Sequence, residues 1–246
     1  MRKVLALVNR ELLAYFSSPL AYVVLTAFLF FNGYVFWLIT AFLNDPRTQA
    51  MQPLKLMFGG TFFFWLFLLF VVPVITMRLL AEERRTGTLE VLLTSPVSEG
   101  QVVIGKFLAA FVFYVFLWAP TLVYVWVLAS HSKIDFLPVA SGYLGIALLG
   151  VTFLSIGLLT SALVRNQILA AILAFAVLIL VFSIGFVEHL VVDATLKNVV
   201  SYMNVLDHME EFGRGIVDTR RVIYHLSLSG FFLFLATKAL EASKGR

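Results

Sequence analysis

Six long apolar runs divide the chain, at 20–43, 57–79, 103–129, 139–163, 168–187 and 222–240. Each is close to or above the ~20 residues that a helix needs to cross a bilayer. Ahead of the first run, Val4, Leu5, Val8, Leu12, Tyr15 and Phe16 recur at helical spacing, with Lys3 and Arg10 opposite. That pattern predicts an amphipathic helix over 1–18 lying in the membrane interface with its basic side in water. Asn9, Arg10 and Glu11 interrupt the apolar residues too early for a signal peptide. Pro73 and Pro120 fall inside spans two and three. Neighbouring helices let membrane helices tolerate proline, and both positions are candidate flex points. The expected fold is all-α and integral to the membrane, with six transmembrane helices behind an N-terminal interfacial helix.

The connections differ in character. Residues 44–56 form a polar loop with two prolines, 130–138 a short loop, and Arg165-Asn166-Gln167 a tight turn. Segment 80–98 carries the densest charge. Segment 188–221 is too charged to span and too apolar for a plain linker. With no internal repeat, a single membrane domain over 1–246 is the simplest partition.

Composition narrows the class. Apolar residues make up 61% of the 246 and charged residues 13%, half the ~25% of an average soluble domain. Mean hydropathy is +0.97. A soluble globule could not cover that much apolar surface, so a soluble enzyme and a disordered chain are excluded. The absence of cysteine removes disulfides, thiolate nucleophiles and iron–sulfur ligation. Net charge is +4, yet the basic residues are spread thinly with no stripe of interleaved aromatics. They read as topology signals, and no nucleic-acid partner is expected. Placing both termini in the cytoplasm puts eleven of the 18 Lys and Arg residues inside, so 80–98 is expected to be cytoplasmic and 188–221 extracytoplasmic.

The apolar cores of the spans carry no Asp, Glu, Lys or Arg. Intramembrane charges usually mark proton relays and ion paths, so an ion-coupled carrier or channel is disfavoured. His225, near the outer end of span six, reads as an interfacial histidine. A bundle that moves cargo without an ion gradient needs its motor elsewhere.

Residues 78–106 read RLLAEERRTGTLEVLLTSPVSEGQVVIGK. Glu82, Glu83, Arg84 and Arg85 mark the exit of span two, with the glutamates expected to pair with the arginines beside them. Gly87 can take the positive φ of a turn. Leu89, Leu92 and Leu93 share one face of a short helix, with Glu90 in its first turn and Pro96 closing it. Ser98 and Gln101 have capping-box spacing, which predicts a helix starting at about Glu99. An amphipathic elbow of this kind can dock in a groove of a soluble partner, its leucines buried and its charges setting orientation. A solvated loop that only sets topology fits the same pattern equally well.

The run E-E-R-R-T-G-T-L-E-V-L-L-T-S-P-V-S, followed by Gly105-Lys106, resembles the signature of permease subunits of the ABC-2 class of ATP-driven transporters. The later run H-M-E-E-F-G-R-G-I-V-D-T-R, at 208–220, is similar to the gliding-motility-type branch. The resemblance implies that the loop after span two is a coupling helix touching the ATPase subunit. That role is carried onto Glu82, Glu83, Arg84, Gly87, Thr88, Leu89 and Glu90, and Arg85 joins them as part of the same charged run. It also implies a second permease subunit, identical or related, and a location in the bacterial inner membrane. ATP and magnesium would sit on the partner ATPase, leaving this chain with no cofactor, no metal and no catalytic residue of its own. Export is the expected direction, with lipid around the spans and an accessory protein as a further partner for 188–221.

Three other readings of the residues are weaker. Gly100 to Lys106 fits G-x4-G-K, but Phe107 stands where a phosphate-binding loop needs a hydroxyl. Glu82-Glu83 would suit an intramembrane protease of the E-E-x-x-x-R type, yet position 87 is Gly. Asp207, His208 and Glu211 offer metal-ligand chemistry with only one histidine.

Overall fold

Most of the helix starts are written in short polar side chains. Thr61, Ser98, Asp135, Asn166, Asp193, Asn204 and Asp218 each accept a hydrogen bond from a backbone N–H of the helix they begin, satisfying donors that otherwise lack partners. Ser98 and Gln101 form the complete reciprocal box. The protein is seen here as a computed structural model, which describes residues 2–43, 56–88, 97–131, 134–188, 191 and 193–243. Among them there is no strand. The helices are α1 (Arg2–Ser17), α2 (Pro19–Leu43), α3 (Phe62–Thr76), α4 (Ala81–Thr86), α5 (Glu99–Trp118), α6 (Leu122–His131), α7 (Phe136–Leu163), α8 (Gln167–Val187), α9 (Ala194–Met203), α10 (Val205–Gly213) and α11 (Thr219–Glu241). Six stretches are long and apolar enough to cross a membrane: Pro19–Phe42, Phe62–Thr86, Glu99–His131, Phe136–Leu163, Gln167–Val187 and Thr219–Glu241.

The two prolines act differently. Pro73 lies within α3 without ending it. At Pro120 the third span narrows to a 3-10 turn, Ala119–Thr121, between α5 and α6. Thr121 steadies this break by donating to the Trp118 carbonyl (2.6 Å) and meeting the Tyr143 hydroxyl (2.8 Å).

Helix α7, 28 residues and so about 42 Å long, is the post around which α3, α5, α8, α10 and α11 gather. Its glycines let neighbours come close, as between membrane helices generally. The Tyr114 ring occupies the space that a Cβ at Gly150 would need, and its hydroxyl donates to the Ile146 carbonyl at 3.2 Å.

Helix α1 packs mainly on α5, with Leu7 and Val8 buried and Leu5 and Leu13 exposed. Five of the six residues of the expected face, Val4, Val8, Leu12, Tyr15 and Phe16, are buried or partly buried; Leu5 is exposed, and Leu7 and the partly buried Glu11 widen the face. The contact depends on Gly105, where a Cβ would come within 2.6 Å of Leu7 Cδ2. Gly105→Val should overpack this seam, lower stability by about 1–3 kcal/mol and speed amide exchange in α1. Hydrogen exchange of residues 2–17 checks it, and unchanged protection would disprove the seam.

Candidate functional site

Helix α4 is a single short stretch that the sequence alone would not hold. Its N-cap, Leu80, offers no side-chain cap. Ser161 of α7 supplies one from afar: its hydroxyl accepts from the Leu80 and Ala81 amides, both at 3.0 Å, and donates to the Met77 carbonyl at 3.3 Å. Glu82 and Glu83 fall in the first turn and Arg84 and Arg85 in the last, the arrangement that suits the helix dipole. Gly87 ends the helix at φ 73°, a left-handed cap that glycine adopts without strain.

Around this elbow lies an ionic cluster. Lys106, 2% exposed, places Nζ 3.0 Å from Glu83 Oε1 and 3.1 Å from Glu11 Oε2. Arg10 reaches the same two carboxylates, at 3.1 Å and 2.6 Å. Two acids and two bases thus neutralise one another while joining α1, α4 and α5. Glu82 turns the other way and pairs with Arg78 (2.9 Å), whose Nη1 donates to Ser18 at 3.1 Å. Arg84 donates to the Ala239 carbonyl of α11 at 3.2 Å.

The site residues expected from the sequence therefore divide into two groups. Glu82, Glu83 and Arg84 are partly buried and face the protein. Arg85, Gly87 and Thr88 are exposed. Leu89 and Glu90 lie outside the described residues. The ion-pair partners of the glutamates are Arg78, Lys106 and Arg10, not Arg84 or Arg85: Glu83 is one and two residues from those arginines and faces another way, while Glu82, with Arg85 at i+3, is taken by Arg78. Lys106, Glu11 and Ser161 were missed. One signal for them was present: Glu11 falls at heptad spacing from Val4 on the face that carries Val8 and Tyr15, a carboxylate where an apolar residue was due.

The sequence pattern of a family described as ABC-2 family transporter protein matches residues 47–203. That stretch is more than half of the chain and contains the elbow. The chain belongs to the ABC-2 family. No match was found among curated proteins. As an ABC-2 permease it is an integral membrane component of an ABC transporter, and membership implies an ATP-binding-cassette ATPase and a paired permease. The G-x4-G-K run lies within α5, inside a helix rather than in a loop between strand and helix.

At the other end of the bundle, the residues with metal-ligand chemistry face different partners. Glu211 holds Arg221 through two bonds of 3.0 Å, and His208 turns to His225. His225 is 1% exposed, so it is a buried group and not the interfacial one expected. Helix periodicity could not reveal this, because His208 of α10 reaches His225 only in the tertiary structure.

Proposed function

We propose that the permease moves its cargo outward by mechanical coupling to a separate ATPase subunit, which docks on the exposed side of the α4 elbow. One observation carries this reading. The elbow is fastened internally to α1, α5, α7 and α11 by Glu83, Arg84 and the Ser161 cap, while Arg85, Thr86, Gly87 and Thr88 stand exposed on its far side. A push there would reach four helices at once. Arg85, Gly87 and Thr88 are the docking contacts, continued by Leu89 and Glu90, while Glu82, Glu83 and Arg84 transmit the load. Hydrolysis of magnesium-bound ATP belongs to the partner, so this chain acts as a permease and not as an enzyme.

The elbow and both termini would face the cytoplasm of a bacterial inner membrane, with 188–221 outside and open to an accessory protein. The run at 208–220 supports the gliding-motility-type branch. A cleft of about 480 Å³ between spans three and four, lined by Tyr114, Trp118, Leu122, Val139 and Tyr143 among others, is within the ~300–1,000 Å³ of small-molecule sites. Its apolar walls support an amphiphilic or lipid-linked cargo.

The test is Arg85→Glu with Thr88→Glu in the assembled complex. Both side chains are exposed, so insertion and thermal stability should stay within about 0.5 kcal/mol of wild type. Co-purification of the ATPase should fall about tenfold or more, with transport falling alongside. Undiminished co-purification and transport would refute the docking surface.

A further inference from the structure

The end of the bundle opposite α4 holds a buried polar chain that the transport reading does not use. His208 of α10 and His225 of α11 are 0% and 1% exposed, with His208 Nδ1 3.3 Å from His225 Nε2. Arg221 Nη1 lies 3.0 Å from His208 Nε2, and His225 Nδ1 lies 2.8 Å from Thr152 Oγ1 in the middle of α7.

The guanidinium dictates the proton positions, since arginine only donates. His208 Nε2 must accept from it, so the His208 proton is on Nδ1 and points to His225 Nε2. His225 then carries its own proton on Nδ1 and donates to Thr152. Thr152 donates onward to the Leu148 carbonyl at 3.3 Å. Along the chain from Arg221 to Thr152 each contact has one donor and one acceptor only while both imidazoles are neutral; the Tyr202 carbonyl, 3.2 Å from His208 Nε2, lies beside the chain as a second and longer contact of that nitrogen. One more proton sets two donors face to face, either at His208 against Arg221, where the Tyr202 carbonyl offsets part of the clash, or between the rings. It also adds a buried positive charge beside a guanidinium.

We propose that the Arg221–His208–His225–Thr152 chain is a proton-sensitive latch that holds α10 on α7 and α11 and is released by acid. It joins three helices through groups with no contact to the elbow, so it does not rest on the docking reading. Other bonds set α10 in place around it: Ser141 donates to the Phe212 carbonyl at 2.6 Å, and Asn204 donates to Glu188 at 2.7 Å.

The neighbouring charges act in both directions. Burial pushes His208 down to about 4, helped by Arg221 and opposed by the Tyr202 carbonyl and by Asp218. A lowered histidine contributes stability that is complete above about 6.5 and is lost as pH falls towards 4. Asp207 opposes this. Burial and the adjacent Glu188 push it up to about 6, so its contribution is complete below about 4 and is lost as pH rises through 6. Glu211, paired with Arg221, adds its charge on the same face, and the Tyr224 ring packs edge-on against the His208 ring. His208 is sealed, whereas Asp207 is partly exposed and screened, so release wins.

Hydrogen exchange on the purified chain in lipid nanodiscs, expressed as protection factors at pH 7.5 and pH 4.5, tests the latch. Protection over 194–213 should fall on acidification in the wild type and by about tenfold or more in Asp207→Asn, where the opposing proton is gone. Residues 157–163 should hold steady. Adding His208→Gln to Asp207→Asn should abolish the fall. The latch is overturned if 194–213 in Asp207→Asn stays equally protected at both pH values, or if the loss persists in the double variant.

Discussion

Lys106→Met is expected to destabilise the protein by about 3–5 kcal/mol, the largest effect of any single change to a charged side chain here. Methionine nearly matches the lysine stem in volume, so packing against α1 survives and the loss is electrostatic. Glu11 and Glu83, with side chains only 13% and 16% exposed, would face each other without the ammonium that now touches both. Arg10 remains, but it is 54% exposed and cannot replace a buried charge. Glu83 Oε2 already lacks a partner among the described residues, so the site has no spare donor to offer. Thermal unfolding of the purified protein should show a midpoint lower by roughly 10 °C. Adding Glu11→Gln and Glu83→Gln should recover most of it by removing the stranded charges. A wild-type midpoint in Lys106→Met would mean that the cluster is solvated and that α1 is not bound to the elbow through it.

The same cluster explains why neighbouring residues on one short helix have unlike roles. Four consecutive positions on a helix point in four directions, so an element lying against a bundle must turn some inward. Glu83 is taken by Lys106 and Arg10, Glu82 by Arg78 and Arg84 by α11. Arg85 alone of the four is left exposed. The charges that mark the segment in sequence are thus mostly the means by which it grips its own protein. An applied force needs that grip, because an elbow tied only to span two would bend without moving α1, span three or span six.

Local signals account for the parts of the fold that were legible. Six apolar runs of bilayer length gave six helical stretches long enough to cross a membrane, the third broken by a 3-10 turn. Ser98 with Gln101 gave the start of α5, and Gly87 gave the left-handed end of α4, because caps and turns are decided by a few adjacent residues. What stayed hidden depends on which helices touch. Lys106 is buried because Gly105 brings α1 onto α5, which no local pattern marks. His225 looked interfacial and is buried between Thr152 of α7 and His208 of α10. The exchange of Leu5 for Leu7 at the edge of the covered face of α1 likewise follows from its seam with α5.

Ser161→Ala should cost roughly 2–4 kcal/mol although it removes one oxygen atom. That oxygen accepts from two buried amides, Leu80 and Ala81, and no other side chain among the described residues reaches them. An orphaned buried donor costs about 1–3 kcal/mol, and here two arise together at the first turn of a helix only six residues long. Such a helix has little stability of its own, so the loss should appear as fraying of α4 before global unfolding. Ser155→Ala is the matched control: its hydroxyl lies in the same helix, equally buried, but only donates to the Thr152 carbonyl within its own helix at 2.7 Å, and its removal strands no donor. Exchange of the Leu80 and Ala81 amides should accelerate sharply in Ser161→Ala and stay slow in Ser155→Ala. Equal behaviour of the two variants would show that water caps α4 from outside, and that the elbow is held to α7 by burial of Leu80 and Ala81 alone.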